Sequence, residues 1–348
     1  LSGGVIDLFG DPLVKAMGNY LCKVSIGGDR YANFADSNHH SRHAPVLMYR
    51  YARATEDADL LNLAYEELDQ QGLESIALFR NTTYRGIKNC LTLSQMLQDR
   101  ARVPSSAAAL NNVLPRLQIL TARQRQDKTG FFLACKGGHN QESHNHNDVG
   151  SFILFRDQKP VFIDTGVGAY TIKTFGPDRY TIWSMTSSYH NCPEYNGVPQ
   201  KDGKAYAAED VSFETTPERA SMQMQLKNAY PSQAGILSAV RTVVMERGEE
   251  TLIRVTDAFE LESETSEIAF RLITPLLPRF EENRFVLDLE GDTPPVRCEY
   301  TPGFSASAEP IELQEKGMIN DWKTSTLYRI TIRPDKPLQK GVFELVCK

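Results

Sequence analysis

The chain has 348 residues, 41% of them hydrophobic, and a mean hydropathy of −0.38, which supplies core for about two domains and excludes a chain built from membrane helices. Its net charge of −6, from 38 basic and 44 acidic residues, excludes a broad attraction for nucleic acid; an acidic polymer would need a local basic groove. Six cysteines, at 22, 90, 135, 192, 298 and 347, include no C-x-x-C pair, so a thiolate zinc site is not expected and the redox compartment stays open.

The chain starts Leu1-Ser-Gly-Gly4, without an initiator Met or a signal peptide, and its first residues read as the middle of a helical domain. A fragment of a longer protein is the expectation. Residues 1–115 read as helical. Asp11-Pro12 is a helix start, followed by apolar residues at Leu13, Met17, Tyr20, Leu21 and Val24. Pro45 to Arg53 and Asp57 to Leu68 read as two helices, with Leu47, Tyr51, Leu60, Leu61, Ala64 and Leu68 as buried stripes. Leu91–Leu97 and Ser106–Leu114 read as further helices. Such paired helices with short connections suit a bundle or a toroid. Between them, Asn38-His-His-Ser-Arg-His43 offers His39, His40 and His43 as metal ligands or substrate contacts, or simply as a polar loop before a helix.

Around Val103-Pro104-Ser-Ser and Leu114-Pro-Arg116 the character changes. From Leu117 onward the chain alternates as β structure, and ten or so strands in series suggest a large antiparallel sandwich over residues 116–348. The fold class is therefore α+β. A long loop from Gly166 to Tyr206 carries Arg179, Tyr180, Trp183 and His190. A loop this long is functional or mobile. Arg179 suits either carboxylate recognition or a structural ion pair, and Trp183 suits packing of the loop onto the sheet.

Most of the chemical information lies in Glu142-Ser-His-Asn-His-Asn-Asp-Val-Gly-Ser151. Four of the seven histidines fall between His139 and His190. Side chains two apart on an extended chain share a face, so His144 and His146 can look into one site. Two neutral imidazoles and a carboxylate make a Zn²⁺ ligand set. His146, Asp164 and His190 are the candidate ligands, leaving His144 free for chemistry. A tight hairpin at Asp157-Gln158 would set Asp164 opposite about Ser151, so the chain must bend, and Gly150 can permit that. The plainer reading is a set of polar loop residues capping a β-hairpin.

His144-Asn-His-Asn-Asp-Val-Gly-Ser-Phe152, then Pro160-Val-Phe-Ile-Asp-Thr-Gly166, then Arg179-Tyr-Thr-Ile-Trp-Ser-Met-Thr-Ser-Ser-Tyr-His-Asn191 together resemble the heparinase II/III-like polysaccharide lyases. Alginate lyases of related architecture share the pattern. A weaker likeness runs through Tyr31-Ala-Asn-Phe-Ala-Asp36. The resemblance implies the C-terminal part of an α/α toroid over 1–115, then the β-sandwich over 116–348. It implies that His144 is catalytic, and that His146, Asp164 and His190 hold one structural Zn²⁺ per chain. It makes Asn145, Arg179, His39 and His43 candidate substrate contacts, with Arg42 beside them. The family's acid–base tyrosine lies upstream, and neither Tyr20 nor Tyr31 matches it, so part of the catalytic set is expected outside this chain.

The implied reaction is β-elimination on a uronic-acid polymer, heparin/heparan sulfate-like or alginate-like. It needs a base for the C5 proton, an acid for the leaving oxygen and stabilisation of the enediolate. His144 serves as that base, or as partner of the uronate carboxylate. A zinc-dependent glycan hydrolase and a non-catalytic carbohydrate-binding module are the rivals, and neither H-E-x-x-H nor G-x-S-x-G occurs. The expected partner is an acidic polysaccharide or oligosaccharide, with no nucleic acid and no membrane span. A homodimer is left open, and the resemblance implies a periplasmic or secreted protein.

Overall fold

Asp11 begins the first helix, α1 (Pro12–Val24): its Oδ1 accepts the Leu13 N–H at 2.7 Å while Pro12 fills the first turn. Asp57 does the same for α3 (Ala58–Gln71), accepting from Leu60 N–H at 2.9 Å. Only Glu56 and Asp57 separate α3 from α2 (Pro45–Thr55), so the two form a tight helical hairpin. Among the described residues the next helix, α4, spans Thr83–Asp99. The computed structural model describes residues 5, 7–73, 83–102 and 107–348. The Leu1-Ser-Gly-Gly4 start and the Val103–Ser106 stretch lie outside the described residues.

The stripe that α2 buries is Val46, Met48, Tyr49 and Ala52, not the Leu47–Tyr51 face read from the sequence; Leu47 is 56% exposed. The polar ends of the aromatics set that rotation. Tyr49 donates to Asp99 Oδ2 at 2.5 Å, and Tyr65 of α3 donates to Met96 O at 2.8 Å.

The chain divides into two compact units, Leu1–Tyr31 with His39–Ala109, and Ala32–Asn38 with Leu110–Lys348. The first is helical and the second is almost wholly antiparallel β, so the α+β class with a helical part before a sandwich holds. The helix read over Ser106–Leu114 is not one: Asn111–Leu114 is a strand paired with Ile119–Ala122. Pro115 therefore sits in the turn of a hairpin, and not at a domain boundary between residues 115 and 116.

In the β unit a five-stranded sheet runs Asn111–Leu114, Ile119–Arg123, Phe131–Lys136, Phe152–Arg156, Lys159–Phe162, in that spatial order. A four-stranded sheet is ordered Phe304–Glu312, Thr326–Pro334, Ile268–Thr274, Pro193–Tyr195. The Ile163 N–H donates to Ile273 O at 2.9 Å and links these two sheets. The other layer is an eight-stranded sheet around Ile236–Glu246 and Leu252–Thr265. Leu133, Phe152, Leu154 and Phe162 of the five-stranded sheet share one buried core with Met222, Met224, Val243 and Val255 of the eight-stranded sheet. Period-2 alternation forces this: each strand turns one set of side chains inward. Among the described residues, no helix is long and apolar enough to cross a membrane.

Candidate functional site

The loop before the strand Phe152–Arg156 carries His144 and His146, and four contacts fix its course. Gly150 adopts φ 85°, which supplies the bend that the sequence required. Its N–H donates to Lys136 O at 3.0 Å. The Gln200 side chain pairs with the Val149 backbone in both directions, accepting its N–H at 3.0 Å and donating to its carbonyl at 2.7 Å. Asp148 is fully buried and takes the Lys136 ammonium at 2.8 Å.

Asp164 follows the next strand. Asp157 and Gln158, at φ 49° and 63°, make the two-residue turn between the strands. The Asp164 carbonyl accepts from Asn33 at 3.0 Å, and its Oδ1 accepts the Gly166 N–H at 3.0 Å. His190 is aimed by its neighbour. Asn191 donates to Phe152 O at 2.6 Å and Ile163 O at 3.1 Å and accepts from Ile273 N–H at 2.7 Å, lacing three strands together. From the opposite sheet, the buried Arg241 grips Asp257 with two bonds of 2.8 Å. It also donates to Gly150 O at 2.8 Å and Asn191 O at 2.7 Å. One guanidinium thus holds the roots of both histidine loops.

His146, Asp164 and His190 are brought together, all fully buried, with one ligand atom from each within 4.8 Å of the others. His190 Nε2 faces Ser184 O at 3.1 Å, and a carbonyl can only accept, so that nitrogen carries the proton. His146 Nε2 likewise faces the Asp36 carboxylate at 3.1 Å. In the neutral imidazoles both Nδ1 atoms are then the lone-pair nitrogens. They meet Asp164, at 3.9 Å from His146 and 3.2 Å from His190. His146 Nδ1, His190 Nδ1 and Asp164 Oδ2 all lack a hydrogen-bond partner. Three convergent buried acceptors are costly unless a cation lies between them. The N₂O donor set fits Zn²⁺.

Asp36 is the residue the sequence missed. It lies in the segment that joins the β unit from between helices, and its carboxylate is a hub. Oδ2 meets His144 Nδ1 at 2.9 Å and Tyr170 OH at 3.2 Å; Oδ1 meets His146 Nε2 at 3.1 Å and Arg179 Nη2 at 2.7 Å. Burial alone would raise its pKa, but the bonds from His146, Arg179 and His144 hold it far below the usual carboxylate range. An ionised carboxylate only accepts, so His144 Nδ1 carries a proton, and Nε2 is the ring nitrogen outside that bond. His144 itself sits at φ 58° and is half-exposed. It lines a cleft of about 350 Å³ with Glu142, Asn145, Phe175, Arg179 and Tyr180.

The two candidates beside it are engaged within the protein. The carboxylate that Arg179 meets is Asp36; its other donors go to Asn145 O at 3.0 and 3.1 Å and to Thr174 O at 2.7 Å. Asn145 accepts from Tyr180 OH at 2.7 Å and is 4% exposed. Trp183 packs edge-on against Tyr189 at 5.1 Å. His39 and His43 belong to the helical unit, His39 against the His40 ring at 4.1 Å and His43 edge-on to Tyr31 at 4.6 Å.

The model of the heparinase II/III-like C-terminal domain matches residues 118–298, more than half the chain. The chain belongs to the heparinase II/III-like family. A search of curated proteins finds no match. Solved structures share its fold at low identity. The heparan sulfate lyase HepC of Pedobacter heparinus aligns at 13% identity and TM-score 0.58, over 96% of this chain and 55% of its own. A heparinase III aligns at 13% and 0.64, over 97% and 48%. A second, the Heparinase III-BT4657 gene product, aligns at 12% and 0.56, over 96% and 54%. The chain spans about half the length of the solved relatives it matches.

Proposed function

We propose that this heparinase II/III-like chain supplies the β-sandwich half of a polysaccharide lyase site that cleaves a uronic-acid polymer by β-elimination. The observation that carries the reading is the Asp36–His144 pair at the cleft. Asp36 fixes the ring, and in the neutral imidazole it fixes the tautomer, with the proton on Nδ1 and the lone pair on Nε2. That nitrogen takes the C5 proton, or meets the uronate carboxylate while another group takes it. The C4–oxygen bond then breaks, and the leaving oxygen needs a proton from an acid. Arg179 serves the site from behind, pinning Asp36 and the Asn145 carbonyl.

His146, Asp164 and His190 would hold Zn²⁺, whose contribution there is to cross-link three loops. Full burial of all three supports a structural role over one that activates water, because a hydrolytic site needs an open coordination position. A periplasmic or secreted location and an acidic polysaccharide substrate follow from the same reading.

The test is a lyase assay on the longest native form of the protein, reading the ultraviolet absorbance of the C4=C5 unsaturated product. His144→Ala should lower kcat at least about 100-fold with zinc content unchanged. Turnover without the unsaturated product, or full activity in the variant, would refute the reading.

A further inference from the structure

We propose that Cys298 and Cys347 are a disulfide-forming pair, closed by thiol–disulfide exchange with an oxidising dithiol protein or oxidised glutathione as the β unit folds. The two lie directly opposite each other on neighbouring antiparallel strands, Val296–Tyr300 and Leu338–Cys347. Arg297 and Lys348 exchange both backbone hydrogen bonds, at 2.9 and 3.0 Å. The adjacent pair, Cys298–Cys347, is therefore the narrow, non-hydrogen-bonded kind, whose Cα atoms lie about 4.5 Å apart, within disulfide range. The sulfurs are 3.1 Å apart. Bond formation asks for about 1 Å of side-chain movement to reach about 2.05 Å, with the ladder left intact.

The remaining cysteines of the β unit have other neighbours: Cys135 Sγ faces Met222 Sδ at 3.5 Å and Cys192 Sγ faces Val149 O at 3.6 Å. Cys22 and Cys90 belong to the helical unit. The Cys298–Cys347 pairing also has a mechanical purpose. A short ladder, from Arg297–Lys348 through Cys298↔Cys347 to Tyr300↔Leu345, joins the short strands Arg279–Glu281, Arg284–Leu287 and Val296–Tyr300 to the long strands of the sheet. A bond across Cys298–Cys347 staples that junction and closes a loop of 49 positions, which restricts the unfolded chain.

The chemistry balances. One cysteine thiolate attacks the oxidant's disulfide, forming a mixed disulfide and releasing the oxidant's other sulfur as a thiolate. The second thiolate displaces the oxidant's remaining sulfur. The two protons and two electrons pass to the oxidant, which ends as the dithiol protein or as two molecules of reduced glutathione. Both side chains are almost fully buried once folded, and burial together with Cys347 pushes the Cys298 thiol well up. Exchange therefore precedes burial, and the finished bond is shielded from reductants.

The experiment is to unfold and reduce the whole chain, refold it with oxidised and reduced glutathione, alkylate the free thiols and map the peptides. The expected result is one link, Cys298–Cys347, with an intact mass lower by two hydrogens and a thermal midpoint higher by several degrees than the reduced chain. Cys298→Ser/Cys347→Ser should fold and show no response of its midpoint to the oxidant. Full alkylation of Cys298 and Cys347 after oxidative refolding, a link to a different cysteine, or an equal response in the double variant would each overturn the pairing.

Discussion

Asp36 concentrates four donors on one carboxylate, so the tautomers of two imidazoles depend on a single side chain. Asp36→Asn keeps the shape but replaces one acceptor oxygen with a donor. At least one of the His144 and His146 rings must then exchange its protonated nitrogen. Nitrogen-15 NMR of the ring nitrogens reads this directly, and unchanged tautomers in both would remove Asp36 from its positioning role. Glu194 makes a pH-dependent contribution. Burial would raise its pKa, but Arg271 at 2.6 Å and Ser188 at 2.7 Å hold it below the usual range. A depressed carboxylate stabilises the fold above its unfolded pKa, near about 4.3, and loses that contribution as pH falls through the folded value. Glu194→Gln should cost about 1–3 kcal/mol above roughly pH 5, with the gap to wild type closing below pH 4. Denaturant unfolding at a series of pH values measures it; a pH-independent gap would contradict it.

At the level of elements, a series of strands from Leu117 onward was readable, and their order in the sheets was not. The strands flanking Asp157-Gln158 stood out because each contains a continuous apolar run. Arg219–Gln225, with Gln and Met alternating, and the edge strand Glu209–Thr215 did not, because their stability comes from partners remote in sequence. The His-x-His loop, Asp164 and His190 stood out through residue type. Asp36 did not, since it meets its histidines across 108 and 110 positions. Arg241 was equally invisible, because its work is to reach through the core to two carbonyls. Gly150 is the hinge on which the loop's aim depends. Gly150→Ala places a Cβ 2.9 Å from Leu226 and forces an L residue to φ 85°, so it should lower stability by about 1–3 kcal/mol. Gly248→Ala, in the open Gly248-Glu-Glu250 turn, should be near neutral in the same thermal melts. Equal effects would show that Gly150's φ is not needed.

For the molecule as a whole, the proposed zinc would be the term that links fold to site. Elemental mass spectrometry should find about one zinc per chain, lost in His190→Ala. Chelation should lower the unfolding midpoint of the wild type and leave that of the variant unchanged. A well-folded, metal-free chain that takes up no added zinc would sink the ligand assignment. The family motif carried this reading because metal ligation needs fixed residue types at fixed places. The chain spans about half the length of the solved relatives it matches, so the test of turnover belongs to the longest native form.

The seven residues Ala32–Asn38 leave the helical unit, join the β unit and return. The β unit is therefore discontinuous along the chain, and no single cut separates the halves cleanly. A version starting at Leu110 would retain all three proposed zinc ligands and His144, yet lose Asp36 and Asn33. It should bind metal with its histidines misaligned. Gene fusion or truncation at the linker would thus sever the site's wiring while leaving its inventory of motif residues intact.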